Sequence, residues 1–230
     1  MRRHPKVLMQ LRLRTFVRER LHAWECARKL RRGLGALERD PRGSEQVWNE
    51  LVDGWDDRRW AAGGEYLDAV ASAAVDEHGP ILECGSGLTT LVLARIARGT
   101  GVQVWTLEHD ARCFQRVGSR LRSAGLEANV LHAPLRDYGS FDWYDVDPAR
   151  LPAFSLVVCD GPPKRTRGGR FGLVPVLGER LAPGCLILLD DAAREGEREV
   201  LNRWAAGLPI RYELHGASRP YAAVELLTPS

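Results

Sequence analysis

The chain has 230 residues, 44% of them hydrophobic and 27% charged, enough to bury a full core as one α/β domain of ordinary size with extra elements. Its apolar runs fall short of the roughly 20 residues that cross a bilayer, and Met1-Arg2-Arg3-His4-Pro5-Lys6 leads into an arginine-dotted segment, so a cytoplasmic protein with no transmembrane segment is expected. The net charge of +3 hides an asymmetry: residues 1–32 hold 11 Lys and Arg against 2 acids, which leaves the remainder with 22 against 28.

In the basic front end Met9, Leu13, Phe16, Val17, Leu21, Trp24 and Ala27 recur at helical spacing, with Arg12, Arg14, Arg18, Arg28 and Arg32 largely elsewhere on the wheel. This predicts an amphipathic basic helix that packs on the domain or on a second subunit, with a membrane-surface, nucleic-acid or acidic-partner role as the other reading. Gly33-Leu34-Gly35 and Arg39-Asp40-Pro41-Arg42-Gly43-Ser44 read as a break and a linker, which divides the chain into an extension over 1–58 and a main domain over 59–230. Trp48, Trp55 and Trp60 either cap a core or wall a pocket, and a helix runs from about Ala61 to Val75.

From residue 80 strands and helices alternate. Strands are predicted at Pro80–Cys84, Val102–Glu108, Asn129–His132, Phe154–Cys159 and Cys185–Leu189. Helices are predicted at Thr89–Ala97, from an Asp110 cap to Gly125, at Arg170–Leu181 and at Ala193–Ala206. Ile210–Leu214 and Ala222–Leu227, with only a short turn between them, read as an antiparallel hairpin on one edge. The expectation is a doubly wound, mostly parallel seven-stranded sheet, with ligands beyond the carboxyl ends of its strands.

The five cysteines, Cys26, Cys84, Cys113, Cys159 and Cys185, form no C-x-x-C pair, and no histidine is read at zinc-ligand spacing. Buried free thiols explain them better than disulfides or a metal knot.

The most informative stretch is Ile81-Leu82-Glu83-Cys84-Gly85-Ser86-Gly87-Leu88-Thr89-Thr90, a strand, a glycine turn and a helix start. Two glycines spaced one apart let backbone approach a nucleotide closely. The dinucleotide fingerprint G-x-G-x-x-G fails at Thr90, which leaves an oxidoreductase as the weaker reading. With Glu83 two residues before Gly85, the stretch resembles the first motif of the class I S-adenosylmethionine-dependent methyltransferases. The resemblance spans about residues 60–228. It implies that Glu83, Gly85, Ser86, Gly87 and Thr89 cradle the cofactor, and that Glu108, 21 residues beyond Gly87, takes the ribose hydroxyls with His109 beside it. Pro134, after the third strand, would meet the adenine, and Asp160 after the fourth would face the reaction.

Asp160, Asp190 and Asp191 end adjacent strands in that family, and three gathered carboxylates repel unless protons or a cation neutralise them. The arrangement resembles, more loosely, the metal-dependent small-molecule O-methyltransferases, which implies Mg²⁺ or Ca²⁺ on these three acids and Lys164 as the base. In the alternative, Asp160 orients the cofactor's ammonium, Asp191 caps a helix and Lys164 is solvated. Lys164-Arg165-Thr166-Arg167-Gly168-Gly169-Arg170 reads as a lid, a clamp for an anionic acceptor or a plain loop, and Trp143-Tyr144 as acceptor walls or packing. Gly161 interrupts the Asp-Pro-Pro pattern of nucleic-acid N-methyltransferases, and Lys164 stands in place of their aromatic. The expected acceptor is therefore a hydroxyl of a small molecule; the other class of reading is a non-catalytic scaffold that docks a partner through the first helix.

Overall fold

The computed structural model describes residues 5–57 and 61–227, with side chains from residue 15 onward; Trp60 and the side chains of Met9, Arg12, Leu13 and Arg14 lie outside the described residues. Helices α1 (Pro5–Arg39), α2 (Glu45–Trp55) and α3 (Gly64–Asp76) precede the alternating part, which runs β1 (Ile81–Cys84), α4 (Leu88–Thr100), β2 (Val104–Glu108), α5 (Ala111–Ala124) and β3 (Asn129–His132). A small hairpin, β4 (Leu135–Asp137) and β5 (Asp142–Tyr144), leads to β6 (Phe154–Cys159), α6 (Leu173–Leu177), β7 (Leu181–Leu189), α7 (Glu195–Gly207), β8 (Ile210–His215) and β9 (Tyr221–Leu226).

Seven strands form one sheet in the order β3-β2-β1-β6-β7-β9-β8. The first five are parallel; β9 runs antiparallel to β7 and to β8, so the terminal hairpin closes one edge as expected. The chain reverses direction across the sheet between β1 and β6, and their carboxyl ends open a crevice there. Strand alternation sends Ile81 to the face covered by α1 to α5, while Leu82 and Cys84 go to the face covered by α6, α7 and the small hairpin.

Local chemistry sets several boundaries. The carboxylate of Asp110 accepts from the N–H groups of Arg112 and Cys113 at the start of α5, and Gly125 closes that helix at φ 64°. Ser44 caps α2 by accepting from Val47 N–H.

Two expectations are corrected. Helix α1 does not break at Gly33-Leu34-Gly35 but continues to Arg39. The glycine serves packing instead: a Cβ at Gly33 would come within 2.7 Å of the Leu51 side chain, and one at Gly54 within 2.5 Å of Leu30 N, so the two helices touch almost backbone to backbone. The helix expected over Arg170–Leu181 shrinks to the five residues of α6, and β7 starts at Leu181, four residues before Cys185, because Leu181 already pairs with Phe154.

The apolar stripe expected to pack on the domain does not do so among the described residues, and the face of α1 that packs is a different one, further along the helix. Cys26, Leu30, Leu34 and Leu37 are buried against the body, whereas Phe16, Val17, Leu21 and Trp24 are exposed. Arg20 lies over the Phe16 ring and Arg28 over that of Trp24. No described helix is long and apolar enough to cross a membrane.

Candidate active site

A cavity of about 560 Å³ opens at the crevice between β1 and β6. Its floor is backbone. Gly85 sits at φ 89°, and a Cβ there would approach Gly161 N to 2.9 Å; a Cβ on Gly161 would in turn meet Gly85 Cα at 2.8 Å and Tyr144 Oη at 2.5 Å. Two loops thus touch through their glycines. Gly87, at the N-terminus of α4, has only open space where a side chain would stand, so its backbone faces the cavity bare.

Glu83 does not line this cavity. It is fully buried beneath it, where it accepts hydrogen bonds from the hydroxyls of Thr89, Thr90 (2.7 Å) and Thr106 (2.8 Å). Burial pushes its carboxyl up to about 7, against the pull of the three hydroxyls. Glu83 and Thr89 therefore shape the loop from below, and Thr90, where the dinucleotide fingerprint wants glycine, also takes the Gly87 N–H at 2.9 Å.

At the tip of β2, Glu108 does line the cavity. Burial raises its carboxyl, but hydrogen bonds from His109, from the Ser86 hydroxyl and from the N–H groups of Asp110 and Ser86 outweigh it and hold the group below its ordinary value. Ser86 gives Oε2 both its N–H (2.9 Å) and its hydroxyl (2.6 Å), and Asp110 N–H reaches Oε1 at 2.8 Å. A buried, ionised acceptor so fixed suits a vicinal diol. Ser86, His109 and Gly87 share the wall; Pro134 does not, being exposed after β3, with its carbonyl accepting from Asp145 N–H. Tyr144, fully buried with no hydrogen-bond partner for its hydroxyl, lines the cavity, whereas Trp143 packs in the core against Gly172. Trp48 is likewise core, while Trp55 is both buried and on the cavity wall, with Arg116 over its ring.

Asp160, Asp190 and Asp191 do converge, with ligand oxygens within 4.8 Å of one another. What neutralises them is arginine. Arg170, only 2% exposed, donates to the carbonyls of Asp160 and Asp190 and to Asp160 Oδ1 (3.1 Å), and it stands 3.5 Å from Asp191 and 3.6 Å from Glu197. Burial alone would lower its pKa, but Asp160 and Glu197 lead the surrounding charges that raise it and keep it charged. Arg219, in the β8–β9 turn, reaches Asp190 Oδ2 and Asp191 Oδ1, both at 3.2 Å, and Arg194 reaches Asp191 Oδ2 at 2.6 Å. Asp190 Oδ1 accepts from Asp191 N–H. Five of the six carboxylate oxygens are therefore engaged by N–H groups of the described residues, and a divalent cation does not fit this donor set as it stands. Asp190 is pushed up to about 7 by burial first and then by its acidic neighbours Asp160 and Asp191. The sequence does not mark these arginines as partners of the acids: Arg170 and Arg219 arrive from other loops, and Arg194 lies one turn beyond Asp191 at the start of α7.

The basic loop splits in two. Arg170 turns into the core, Arg167 pairs with Asp137 and Asp142, and of this loop's cations Lys164 and Arg165 remain exposed on the cavity wall.

Among solved structures the chain resembles an O-methyltransferase from Bacillus cereus in complex with S-adenosylhomocysteine, at TM-score 0.56 and 16% identity over 83% of this chain and 94% of that one. It also resembles the S-adenosylhomocysteine-bound methyltransferase PaMTH1 from Podospora anserina, at TM-score 0.57 and 16% identity over 79% and 86% of the two chains. The chain carries the Rossmann-like fold of the class I methyltransferases. A tRNA methyltransferase, TrmI from Aquifex aeolicus, matches this methyltransferase fold about as well, at TM-score 0.54 and 14% identity over 79% of this chain and 76% of that one, so the fold leaves the acceptor open. No protein-family model matches the sequence, nor does any curated protein.

Proposed function

We propose that this chain is an S-adenosylmethionine-dependent methyltransferase acting on a hydroxyl of a small molecule. The observation that carries the reading is the cavity itself: bare backbone at Gly87, a glycine-to-glycine floor at Gly85 and Gly161, and the ionised Glu108 on one wall. S-adenosylmethionine supplies a sulfonium-bound methyl group that is open to in-line displacement. Gly85, Ser86 and Gly87 receive the cofactor's amino-acid end, Glu108 accepts from both ribose hydroxyls, and His109 flanks them. Asp160, steadied by Arg170, orients the cofactor's ammonium, and Lys164 at the cavity rim, in its neutral amine form, takes the acceptor's proton. Glu83 and Thr89 hold the loop in shape without touching the ligand. No step passes through a metal.

Titration calorimetry tests the cofactor. S-adenosylhomocysteine binds and NAD does not, and Glu108→Ala weakens the binding by about ten- to a hundredfold, the loss of hydrogen bonds to a charged group. Unchanged affinity in that variant would remove the ribose assignment.

The exposed stripe Phe16, Val17, Leu21 and Trp24, in a basic segment attached to an acidic body, supports a homodimer in which the helix of one copy lies on the body of the other. Light scattering should show Leu21→Glu converting a dimer to a monomer; a monomeric parent protein ends this reading.

A further inference from the structure

Where the buried half of α1 gives way to its exposed half, His22 and Cys26 lie one helical turn apart on the same face. Asp56 meets them from the left-handed residue that ends α2. His22 Nε2 is 2.6 Å from Asp56 Oδ1 and 3.6 Å from Cys26 Sγ, and the three ligand atoms all lie within 4.8 Å of one another. We infer that His22, Cys26 and Asp56 form a zinc site that clasps α1 onto the end of α2.

The donor set selects the ion. A thiolate, an imidazole and a carboxylate suit Zn²⁺, whereas Mg²⁺ and Ca²⁺ want oxygen alone. In a tetrahedral zinc site, bonds of about 2.3 Å to sulfur and 2.0–2.1 Å to nitrogen place those two atoms about 3.5 Å apart, which is the separation found. The nitrogen and the carboxylate oxygen need about 3.3 Å, so Asp56 must draw back by about 0.7 Å as the ion replaces the proton they share. Both groups can move: the side chains of His22 and Asp56 are 60% and 44% exposed. Cys26 is 5% exposed and supplies the fixed point. On binding, the thiol proton of Cys26 goes to solvent, the proton displaced from His22 Nε2 is carried on Nδ1, and water takes the fourth position.

The three ligands are unrelated to a zinc-finger pattern, because the third comes 34 residues after the first and meets them only through the α1–α2 packing. Asp56 stands between Trp55 and Asp57, both of which line the cavity, so the clasp fixes the root of α1 beside one wall of the candidate active site.

Titrating the full chain with Zn²⁺ alone and with Co²⁺ alone tests the site. One equivalent of each should bind, and the Co²⁺ complex should show the intense visible bands of tetrahedral coordination together with a near-ultraviolet thiolate charge-transfer band. Cys26→Ser should abolish that band. Because Cys26 is buried and its variant can misfold, His22→Gln and Asp56→Asn supply independent readings; Asn tolerates the left-handed backbone of Asp56. Each should lower Zn²⁺ affinity at least tenfold with an unchanged circular dichroism spectrum, while Asp190→Asn should leave Zn²⁺ binding intact. A Co²⁺ spectrum without a sulfur band, affinities unmoved by the His22 and Asp56 variants, or no binding at micromolar Zn²⁺ would each reduce the cluster to an ordinary ion pair and overturn the inference.

Discussion

The tips of β1 and β7 both bury carboxylates beside the same cavity, yet they stabilise them by opposite means. Glu83 sits among three neutral hydroxyls, and burial leaves it close to half-protonated near pH 7. Asp190 and Asp191 sit among arginines, with charge set against charge. Hydroxyls from the adjoining helix and strand make a brace that carries no compensating charge, so its strength follows the proton on Glu83. A cage of arginines from three separate loops makes an assembly that depends on its buried central cation, Arg170.

The largest effect should come from breaking the cage. Arg170→Met leaves buried carboxylates uncompensated and should cost about 3–5 kcal/mol in urea unfolding, whereas a loss below about 1 kcal/mol would mean that Arg170 is not the cage's centre. Next comes the brace. Folding raises Glu83 from its ordinary 4.5 to about 7, so the native state keeps a proton that the unfolded chain loses within that window. Stability should therefore be greatest below pH 4.5 as far as this group is concerned, and fall by on the order of 3 kcal/mol as pH rises to about 7. Asp190, raised from 3.8 to about 7, adds a slope of the same sign. Glu83→Gln should flatten the pH dependence of the urea midpoint, and an unaltered slope would show that Glu83 is not the titrating group. The smallest effect sharpens the contrast. Arg219→Leu frees Asp190 Oδ2 and Asp191 Oδ1, so millimolar Mg²⁺ should raise the melting temperature of the variant by a few degrees and leave the parent protein unmoved. A parent protein that gains as much would place a cation in the acid cluster after all.

What the sequence disclosed follows the same division. The brace side was legible because its signals are local: an apolar run into Gly85-Ser86-Gly87, an acid ending the next strand at Glu108, an Asp110 cap and a Gly125 stop. Even there the residues divide in a way that spacing does not reveal: Glu83 and Glu108 point to the same face of the sheet, but Glu83 lies level with Thr106, beneath the glycine loop, while Glu108 stands at the strand tip and reaches the cavity. The cage side was half legible. The acids stand at strand ends and could be found; Arg170, Arg194 and Arg219 pair across 10 to 29 residues or within a turn, and nothing near them marks the partner. Arg170 instead read as the start of a helix. The glycines of α1 misled for a related reason: a glycine that admits a neighbouring helix looks, in one dimension, like a glycine that ends its own.

Arg219 lies in the turn of the β8–β9 hairpin, and β9 must slot between β7 and β8 before that turn can reach the acids. During synthesis the other two arginines and all three aspartates leave the ribosome earlier. Until residues 216–226 have emerged, the acid cluster lacks Arg219 and β7 keeps an unpaired edge, and an unpaired strand edge invites association with another chain.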